Sequence, residues 1–389
     1  MIRKVKLGEI CDILNGYAFK SKEYVEDGIR IIRITNVQKG IIQDTDPKYY
    51  QIDKIETLKN YMLKENDLLI SLTGNVGRVG QISKDLLPAG LNQRVGCIRI
   101  KEKEDVSIDY LYQYFNSYNF ERDCINNSKG IAQKNLSTEW LKNYKMKIPS
   151  LDEQKRIAIE LRQIQRIKDL KQQQLKELNQ LIKSQFVEMF GTPFLNEKNW
   201  KYGIIKDLVK EVKYGTSKPA NGGKYKYLRM NNITYDGKLD LSEIKYIDIE
   251  EDDKEKYSTK NGDILFNRTN SKELVGKTCV FDIEEEMIIA GFIIRVRINE
   301  FANPYFISEY MNTVYLKEKL RNMCKDASGQ SNINAKELEN IKIYIPPITL
   351  QNQFSEIVKQ IDKQKFESMI QLEMMEKIYN MINDRRRYV

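Results

Sequence analysis

Residues 148–154 read IPSLDEQ and residues 345–351 read IPPITLQ, and each stretch leads into a long segment that lacks proline and glycine. These segments are residues 151–190 and residues 350–387. Along both, apolar residues recur at intervals of three and four, which is typical of an amphipathic helix. The sequence therefore predicts two long helices, each of which follows an Ile-Pro pair.

The two stretches belong to a repeat that covers the whole chain, at an offset of 196 residues (33 to 229) to 199 residues (77 to 276). Other features recur in the same order: RITNV at 33–37 and RMNNI at 229–233, KENDLLI at 64–70 and KNGDILF at 260–266, SKGIAQKN at 128–135 and ASGQSNIN at 327–334. A globular segment followed by a helix is thus used twice, with predicted boundaries at 1–150, 151–190, 191–348 and 349–389. Such a duplication offers pseudo-two-fold symmetry, which suits a two-fold symmetric partner such as duplex DNA.

Both globular segments combine short strands with helices and irregular connections, which predicts the mixed α/β (α+β) class. Strands are expected at 29–37, 68–72 and 95–100, and again at 225–230, 263–266 and 288–298; one helix is expected at 108–125 and another at 304–324. Each long helix has one apolar face that needs cover. That face either packs on its own globular segment or pairs with the other long helix, and we favour the pairing.

Composition excludes several kinds of chemistry. The chain has no histidine, which removes the usual general base, the Ser-His-Asp triad and histidine-dependent metal sites. Its five cysteines are scattered and form no Cys-x-x-Cys pair, which argues against a zinc site or a disulfide framework. Residues 271–278 (SKELVGKT) lack the first glycine of a phosphate-binding P-loop, and residues 303–306 (NPYF) lack the second proline of the amino-methyltransferase tetrapeptide. We therefore expect no cofactor, no bound metal and no catalytic residue.

Targeting and charge point to a location and a partner. No apolar core segment follows Met1, and the longest apolar run, 287–294, is too short to cross a bilayer. Together with the cysteine usage, this predicts a cytoplasmic protein without a membrane partner. The net charge of +9 permits binding to nucleic acid but does not require it.

The residues that remain for function are polar and lie in loops that recur in both halves. Arginine can fork onto a guanine edge or a phosphate, asparagine and glutamine can pair with an adenine edge, and loops of small polar residues let backbone N–H groups approach phosphates. An ordinary polar turn is the alternative for each loop, but recurrence favours a shared task. The candidate DNA-binding residues are Arg33, Asn36, Thr73, Asn75, Arg78, Gln133, Lys134, Arg229, Asn231, Asn232, Arg268, Thr269, Asn270, Ser271, Gln330, Asn332 and Asn334.

With these motifs in the same order and in duplicate, the chain resembles a type I restriction–modification specificity (S) subunit over essentially its whole length. The motifs that carry the resemblance are NGDILFNRTNS at 261–271, GQSNIN at 329–334, the Ile-Pro-Pro at 345–347 followed by Gln351, and MFGTP at 189–193 followed by Asn199-Trp200. The first half departs from the pattern, because LTG at 72–74 stands where the second half has NRT at 267–269.

The resemblance implies a fold and a function. Each globular segment would be a target-recognition domain that reads one part of a split site in double-stranded DNA. The long helices would form an antiparallel coiled coil that spaces the domains and docks methyltransferase (M) subunits, with restriction (R) subunits in the full complex. The subunit itself would have no catalytic activity. Two alternatives stay open: a catalytic DNA enzyme, either a nuclease or a methyltransferase fragment, and a coiled-coil scaffold that binds protein.

Overall fold

The computed structural model describes residues 2–101, 105–130, 134–327 and 330–388. Contacts within the chain divide it into two units, one made of Met1–Gln172 with Met369–Val389 and the other of Gln173–Ser368. Each unit holds one globular part and portions of both long helices. We call the globular parts the first lobe, which precedes residue 151, and the second lobe, which spans 191–347. The four-segment division read from the sequence assigns functions rather than contacts, and it stays a prediction.

The first lobe is built on a four-stranded antiparallel sheet of order β2-β10-β7-β8. A three-stranded sheet of order β6-β3-β9 and the two-stranded ladders β1-β11 and β4-β5 complete it. Its strands are β1 Arg3–Lys6, β2 Cys11–Asn15, β3 Ile29–Ile32, β4 Val37–Gln38, β5 Ile41–Ile42, β6 Tyr49–Tyr50, β7 Leu68–Ser71, β8 Val79–Gln81, β9 Ala89–Leu91, β10 Val95–Ile100 and β11 Lys145–Ile148. Its helices are α1 Leu7–Ile10, α2 Ile108–Phe115, α3 Tyr118–Asn127 and α4 Thr138–Asn143, and the long helix α5 spans Leu151–Phe190.

The second lobe repeats this topology, with a four-stranded sheet β13-β20-β16-β18, a three-stranded sheet β15-β14-β19 and a ladder β12-β23. It adds the small sheet β17-β22-β21. The strands are β12 Tyr202–Ile204, β13 Val209–Tyr214, β14 Tyr225–Leu228, β15 Lys245–Ile247, β16 Asp263–Asn267, β17 Thr269–Asn270, β18 Thr278–Phe281, β19 Ile288–Ile289, β20 Ile293–Ile298, β21 Lys325–Ala327, β22 Gln330–Asn332 and β23 Lys342–Tyr344. The helices are α6 Glu251–Tyr257, α7 Pro304–Asn312, α8 Val314–Met323, α9 Ala335–Glu339 and the long helix α10 Ile348–Tyr388.

The long helices pair in an antiparallel sense within each unit. In the first unit Lys168, from the first half of α5, forms an ion pair with Glu376 in the second half of α10, and its ammonium lies 5.2 Å from the ring centroid of Tyr379. In the second unit Phe186 and Phe190, at the end of α5, pack against Phe354 near the start of α10, with ring centroids 5.6 and 5.4 Å apart. The predicted fold class, two mixed domains in duplicate with paired long helices, is confirmed. Among the described residues, no helix combines the length and hydropathy needed to span a membrane.

The two long helices also pack on the lobes, so the alternatives raised by the sequence hold together. The rings of Phe186 and Phe190 lie 5.8 and 4.9 Å from that of Phe306 on α7, and all three side chains are buried in the core of the second unit. In the first unit Ala158 of α5 joins the core of the lobe, and the Tyr379 hydroxyl on α10 donates to Gln113 on α2 at 3.2 Å. The apolar face of each helix is therefore shared between a partner helix and a lobe.

The glutamine of each IPxxxxQ stretch fastens its helix to its lobe. Gln154 is fully buried; its amide donates to the carbonyls of Pro149 (2.9 Å) and Asp105 (3.2 Å) and accepts from the N–H of Ser107 (2.8 Å). Gln351 is also fully buried and makes the corresponding bonds to Pro346, Phe301 and Asn303 at 2.8, 3.2 and 2.9 Å. All six partners are backbone atoms, so the motif is a structural clamp between the helix start and the lobe.

The repeated aspartate of KENDLLI and KNGDILF is another structural device. Asp67 accepts the N–H of Lys64 at 2.7 Å and forms two hydrogen bonds with the Arg99 guanidinium, at 2.8 and 2.6 Å. Asp263 accepts the N–H of Lys260 at 2.7 Å and pairs with Arg297 at 3.0 Å. The preceding residues, Asn66 and Gly262, have φ of +70° and +89°, a conformation that asparagine and glycine tolerate. The motif therefore fixes the turn into the central strand.

Several predicted elements are wrong in detail. The segment 108–125, expected as one helix, is interrupted at Ser117, whose hydroxyl accepts the N–H of Phe120 and so caps a second helix. The segment 304–324 is interrupted in the same way by Thr313, which caps α8. The expected strand at 29–37 ends at residue 32 before a 3-10 turn, and the expected strand at 288–298 is two strands, β19 and β20.

Candidate nucleic-acid interface

One loop follows the central strand β7 of the first lobe and is held by three backbone hydrogen bonds. The N–H of Leu72 donates to the carbonyl of Arg94 (3.0 Å), the N–H of Leu136 donates to Leu72 (2.7 Å), and the N–H of Gly77 donates to Ser71 (3.0 Å). The φ of Gly77 is +84°, and a Cβ there would lie 2.8 Å from Cys124. The loop is therefore closed at its base by the sheet and by a required glycine.

The second lobe holds the equivalent loop after β16 with the same three bonds. The N–H of Arg268 donates to Phe292 (3.0 Å), the N–H of Ile333 donates to Arg268 (2.9 Å), and the N–H of Gly276 donates to Asn267 (2.9 Å). This register pairs Leu72 with Arg268, as does the offset of 196 residues between KENDLLI and KNGDILF.

A cavity of about 330 Å³ lies beside the loop of the first lobe. Arg78, in this cavity, donates to Gln38 at 2.6 Å, and the hydroxyl of Thr73 is buried without a hydrogen-bond partner. Three residues of the cavity, Thr73, Asn75 and Arg78, were predicted from the sequence as DNA-binding. Its lining is Ile34, Thr35, Val37, Gln38, Ser71, Thr73, Gly74, Asn75, Arg78 and Arg94. The first lobe therefore gathers hydroxyl, amide and guanidinium groups in one concave place.

Sequence reasoning missed Thr35, Gln38 and Arg94, which line the same cavity. Thr35 was available as a signal, because it lies inside the repeated RITNV motif, whereas Arg94 has no counterpart of its own type in the second half. Lys134 is exposed, and its carbonyl accepts the N–H of Gly74 at 3.0 Å, which places it next to the loop. Gln133 lies outside the described residues.

In the second lobe the guanidinium of Arg268 lies over an aromatic ring. Its central carbon is 4.9 Å from the ring centroid of Tyr214, its Nη1 makes a long hydrogen bond of 3.4 Å to the carbonyl of Gly291, and its Nε is buried without a partner. The Tyr214 hydroxyl accepts the N–H of Ala335 at 2.7 Å, so the ring is itself fixed in place. A stacked arginine with unused donors can fork onto a base edge.

The neighbouring predicted residues of the second lobe form a hydrogen-bonded group. Thr269 pairs with Asn332 across β17 and β22, with 3.4 Å between their side chains. The side chain of Asn270 donates to Asn267 (3.0 Å) and accepts from the N–H of Ser271 (2.9 Å). Gln330 lies on β22, and its side chain is outside the described residues. The side chain of Asn334 caps α9 by accepting the backbone N–H of Glu337 at 2.9 Å.

The predicted asparagines Asn36 and Asn232 are engaged in the fold. Both are buried, accept the N–H of Arg33 and Arg229 respectively at 2.8 and 2.9 Å, and donate to backbone carbonyls. They hold the same 3-10 turn in each lobe, and neither amide faces solvent. Asn231, which directly precedes Asn232 in the RMNNI motif, is exposed. For Asn36 and Asn232, the assignment to a DNA interface therefore rests on the sequence alone.

Arg33 and Arg229 extend from these turns toward acidic or carbonyl groups. Arg33 donates to the backbone and carboxylate of Asp46, and hydrogen bonds from Lys48 and Arg33 hold the pKa of that carboxyl below its ordinary value. Arg229 donates to the carbonyl of Glu243 at 3.0 Å, and the Nε of both arginines is buried without a partner. The Nε–H of each guanidinium therefore has no acceptor within the described chain.

Two lysines are buried beneath the loop of the second lobe. Lys277 donates to the carbonyl of Met230 at 2.8 Å, and Lys317 donates to that of Gly276 at 3.3 Å and lies 5.2 Å from the ring of Tyr235. Burial lowers the pKa of both, and burial together with the charge of Lys277 lowers the pKa of Lys317 to about 8. Both lysines therefore lose a proton at a lower pH than lysine in water does.

We expect Lys317→Met to stabilise the protein at pH 7 by roughly 1–3 kcal/mol, because it removes a buried charge while keeping a similar length. Below pH 8 the amine is charged in both the folded and unfolded states, and its cost is fully present. Between pH 8 and about 10.4 the unfolded state holds more protons, so the stability contributed by this group rises with pH.

Urea unfolding of the wild-type and Lys317→Met proteins between pH 7 and pH 9.5 measures this difference. The gap between the two should be largest at pH 7 and shrink above pH 8. Lys319→Met, on the same helix but of a residue outside the buried set, is the matched control and should leave the free energy of unfolding nearly unchanged at every pH. A constant gap between wild-type and Lys317→Met would contradict the expectation.

No group of three or more cysteine, aspartate or glutamate side chains is arranged to hold a metal ion within the described parts of the chain. Each lobe instead has a loop that is closed by three backbone hydrogen bonds and carries polar and cationic side chains.

Residues 2–180 and residues 197–374 each match the family model for the type I restriction modification DNA specificity domain. The two matches cover most of the chain and fall one on each lobe with its following helix. The chain belongs to this family.

Relatives of the type I specificity family match the chain at low identity. The type I restriction enzyme EcoKI specificity subunit of Escherichia coli is 22% identical over 377 residues, which cover 91% of this chain and 80% of that protein. The EcoBI specificity subunit of Escherichia coli is 24% identical and covers 92% of this chain and 78% of its own length. The putative MjaX specificity subunit of Methanocaldococcus jannaschii is 29% identical over 171 residues, 42% of this chain and 40% of that protein.

Solved structures share the fold of the specificity family with this chain. The type I restriction–modification S subunit from M. genitalium superposes with a TM-score of 0.59 at 14% identity, covering 99% of this chain and 96% of that one. A chain from a structural study of complex assembly and conformational transition of the type I R-M system superposes with a TM-score of 0.62 at 17% identity, covering 99% and 97%. At these identities the likeness establishes the architecture.

Proposed function

We propose that this chain is the DNA sequence-specificity subunit of a type I restriction–modification complex, and that it reads a split site with one half-site per lobe. The observation that carries the proposal is the pair of equivalent loops, closed by the same three hydrogen bonds in each lobe but carrying different side chains. Two loops with the same backbone hydrogen bonds but different side chains suit two domains that recognise different DNA sequences. Family membership supports the assignment.

The chain acts through partners in this proposal. Apolar side chains remain exposed along the part of α10 that belongs to the first unit, and a set of this kind on a helix suits docking of another protein: Met369, Ile370, Met374, Ile378 and Met381. We assign this surface to methyltransferase subunits, with restriction subunits joining in the full complex. The chain itself carries no catalytic function in this proposal, requires no cofactor and acts in the cytoplasm, where its DNA is.

Mapping the methylated bases of a host that carries this gene together with its methyltransferase gene tests the function. We expect one motif with two specific parts separated by unread base pairs, absent when this gene is deleted. Methylation that persists after the deletion would contradict the proposal. The purified chain is the second arm: cleavage or methylation of DNA by the chain alone would favour a catalytic enzyme, and the absence of salt-dependent DNA binding with its partner would favour a protein scaffold.

Arg268 is expected to determine one base pair of the half-site read by the second lobe. Arg268→Ala removes the fork and should cost roughly 1–3 kcal/mol of discrimination at that pair, because arginine contacts guanine through two hydrogen bonds. Tyr214→Leu should produce part of this loss by removing the surface beneath the guanidinium, whereas Tyr214→Phe should keep the stacking.

Methylation mapping of the three variants provides the measurement. A motif with relaxed sequence at one position of one half-site is expected for Arg268→Ala, with the other half-site unchanged. If the motif and the rate of methylation both stay as in the wild type, Arg268 does not contact the DNA.

A further inference from the structure

The hydrogen-bond register shows that the two lobes exchange an arginine and an apolar residue between two neighbouring positions. In the first lobe the residue after β7 is Leu72, and the residue whose carbonyl receives its N–H is Arg94. In the second lobe the residue after β16 is Arg268, and the residue whose carbonyl receives its N–H is Phe292. Leucine and arginine in one lobe thus correspond to arginine and phenylalanine in the other.

Exposure of the four side chains is consistent with this exchange. Leu72 is buried and completes the core of its lobe, while Arg94 is exposed. Arg268 is half-buried over Tyr214, while Phe292 is 48% exposed. Each lobe therefore has one guanidinium at this pair of positions. In the second lobe it belongs to the residue after β16, and in the first lobe to the residue before β10.

Arg94 has the properties of a residue available for a ligand. It lines the 330 Å³ cavity together with Thr73, Asn75 and Arg78. In the part of the chain that the structure describes, its guanidinium has no hydrogen-bond or ion-pair partner, although its backbone N–H contacts Asn92. The other arginine of the cavity, Arg78, is bound to Gln38. Arg94 is thus the guanidinium of this cavity with all five donors unused.

We propose that Arg94 is a specificity-determining residue of the first lobe, the functional counterpart of Arg268, and that it forks onto a guanine in the major groove. This inference rests on the proposed function and adds the residue and the base to it. Because the guanidinium enters from a different strand in each lobe, one fold can present the same chemistry at two different places. The two half-sites then differ although the frames are alike.

The proposal predicts that Arg94→Ala relaxes the motif at one G·C position of one half-site, by on the order of 10- to 100-fold in discrimination. The half-site that changes should be the one that Arg268→Ala leaves intact. Arg94→Lys should relax the same position, because lysine keeps the charge but cannot form the planar fork. A phosphate contact would respond differently: Arg94→Lys would restore methylation and the motif would keep its sequence.

The experiment maps methylated bases in a host that carries the full chain and its methyltransferase partner, for the wild type, Arg94→Ala, Arg94→Lys and a control. The control is Arg122→Ala, an arginine on α3 of the same lobe that does not line the cavity and should leave the motif unchanged. Thermal unfolding of each purified variant checks the fold, which should be retained because the exposed Arg94 side chain forms no hydrogen bond or ion pair with the described residues.

Each outcome separates this inference from the proposed function. A wild-type chain that directs no two-part motif overturns the function. A wild-type motif that Arg94→Ala leaves unchanged, or weakens uniformly without relaxing any position, overturns the inference alone. Relaxation at an A·T position would show that Arg94 contacts DNA but reads a base other than guanine, and it would overturn the assignment to guanine.

Discussion

Inserting two residues into each long helix is expected to abolish site-specific methylation. Two residues turn everything beyond the insertion by about 200° about the helix axis, because an α-helix has 3.6 residues per turn. The natural places are between Gln172 and Gln173 in α5 and between Ser368 and Met369 in α10, where the contacts divide the chain into its units. Inserting at both places keeps the antiparallel partners in step.

Four inserted residues at the same places are the matched comparison. They turn the helix by about 400°, close to one full turn, and lengthen it by about 6 Å. Since DNA rises about 3.4 Å per base pair, the unread gap of the motif should grow by one or two base pairs while both half-sites keep their sequences. Methylation mapping measures both variants. A gap that stays constant in an active four-residue variant would show that the helices do not set the spacing.

Replacing residues 191–348 with those of another family member is expected to change one half-site completely and leave the other as it was. The clamp makes such a chimera feasible, because Gln351 binds only backbone atoms of the lobe, which any relative supplies. The donor should keep aromatic residues at positions 306 and 344, since Phe306 packs against Phe186 and Phe190 of the retained helix.

Methylation mapping of the chimera beside both parents gives the result directly. The expected motif joins the first half-site of this chain to one half-site of the donor. The control is the same chimera with Arg94→Ala in the first lobe, which comes from this chain. It should relax the sequence only in the half-site that this chain contributes. If both half-sites change together, or neither does, reading by independent lobes is wrong.

The long helices were predictable because each segment runs for about 40 residues without proline or glycine and keeps an apolar spacing of three and four over most of that length. The shorter helices were merged in the prediction, because the breaks at Ser117 and Thr313 are single polar residues that also occur inside helices. Their capping role depends on where the chain turns to cover the sheet. Tertiary packing decides that turn, and a local pattern does not contain it.

The candidate site shows a different limit. Comparing the two halves of the sequence identifies the residues that they have in common, and most of these residues stabilise the fold. Asn36 and Asn232 hold turns, and Asp67 and Asp263 hold the turn into the central strand. Residues that read different half-sites should differ between the lobes. Arg94 could therefore be recognised only after the backbone register had aligned it with Phe292.

The glutamine clamps give each unit a mechanical property. Gln154 ties the first turn of α5 to the segment before α2 through two hydrogen bonds, and Gln351 ties the first turn of α10 to the segment before α7 through two. The third bond of each glutamine goes to a proline that precedes its own helix. A lobe and the start of its helix therefore turn together as a rigid lever, without a hinge between them. We expect a protein that binds and rotates the helix to rotate the lobe with it, because the glutamine clamp and the apolar contacts between helix and lobe both connect the two.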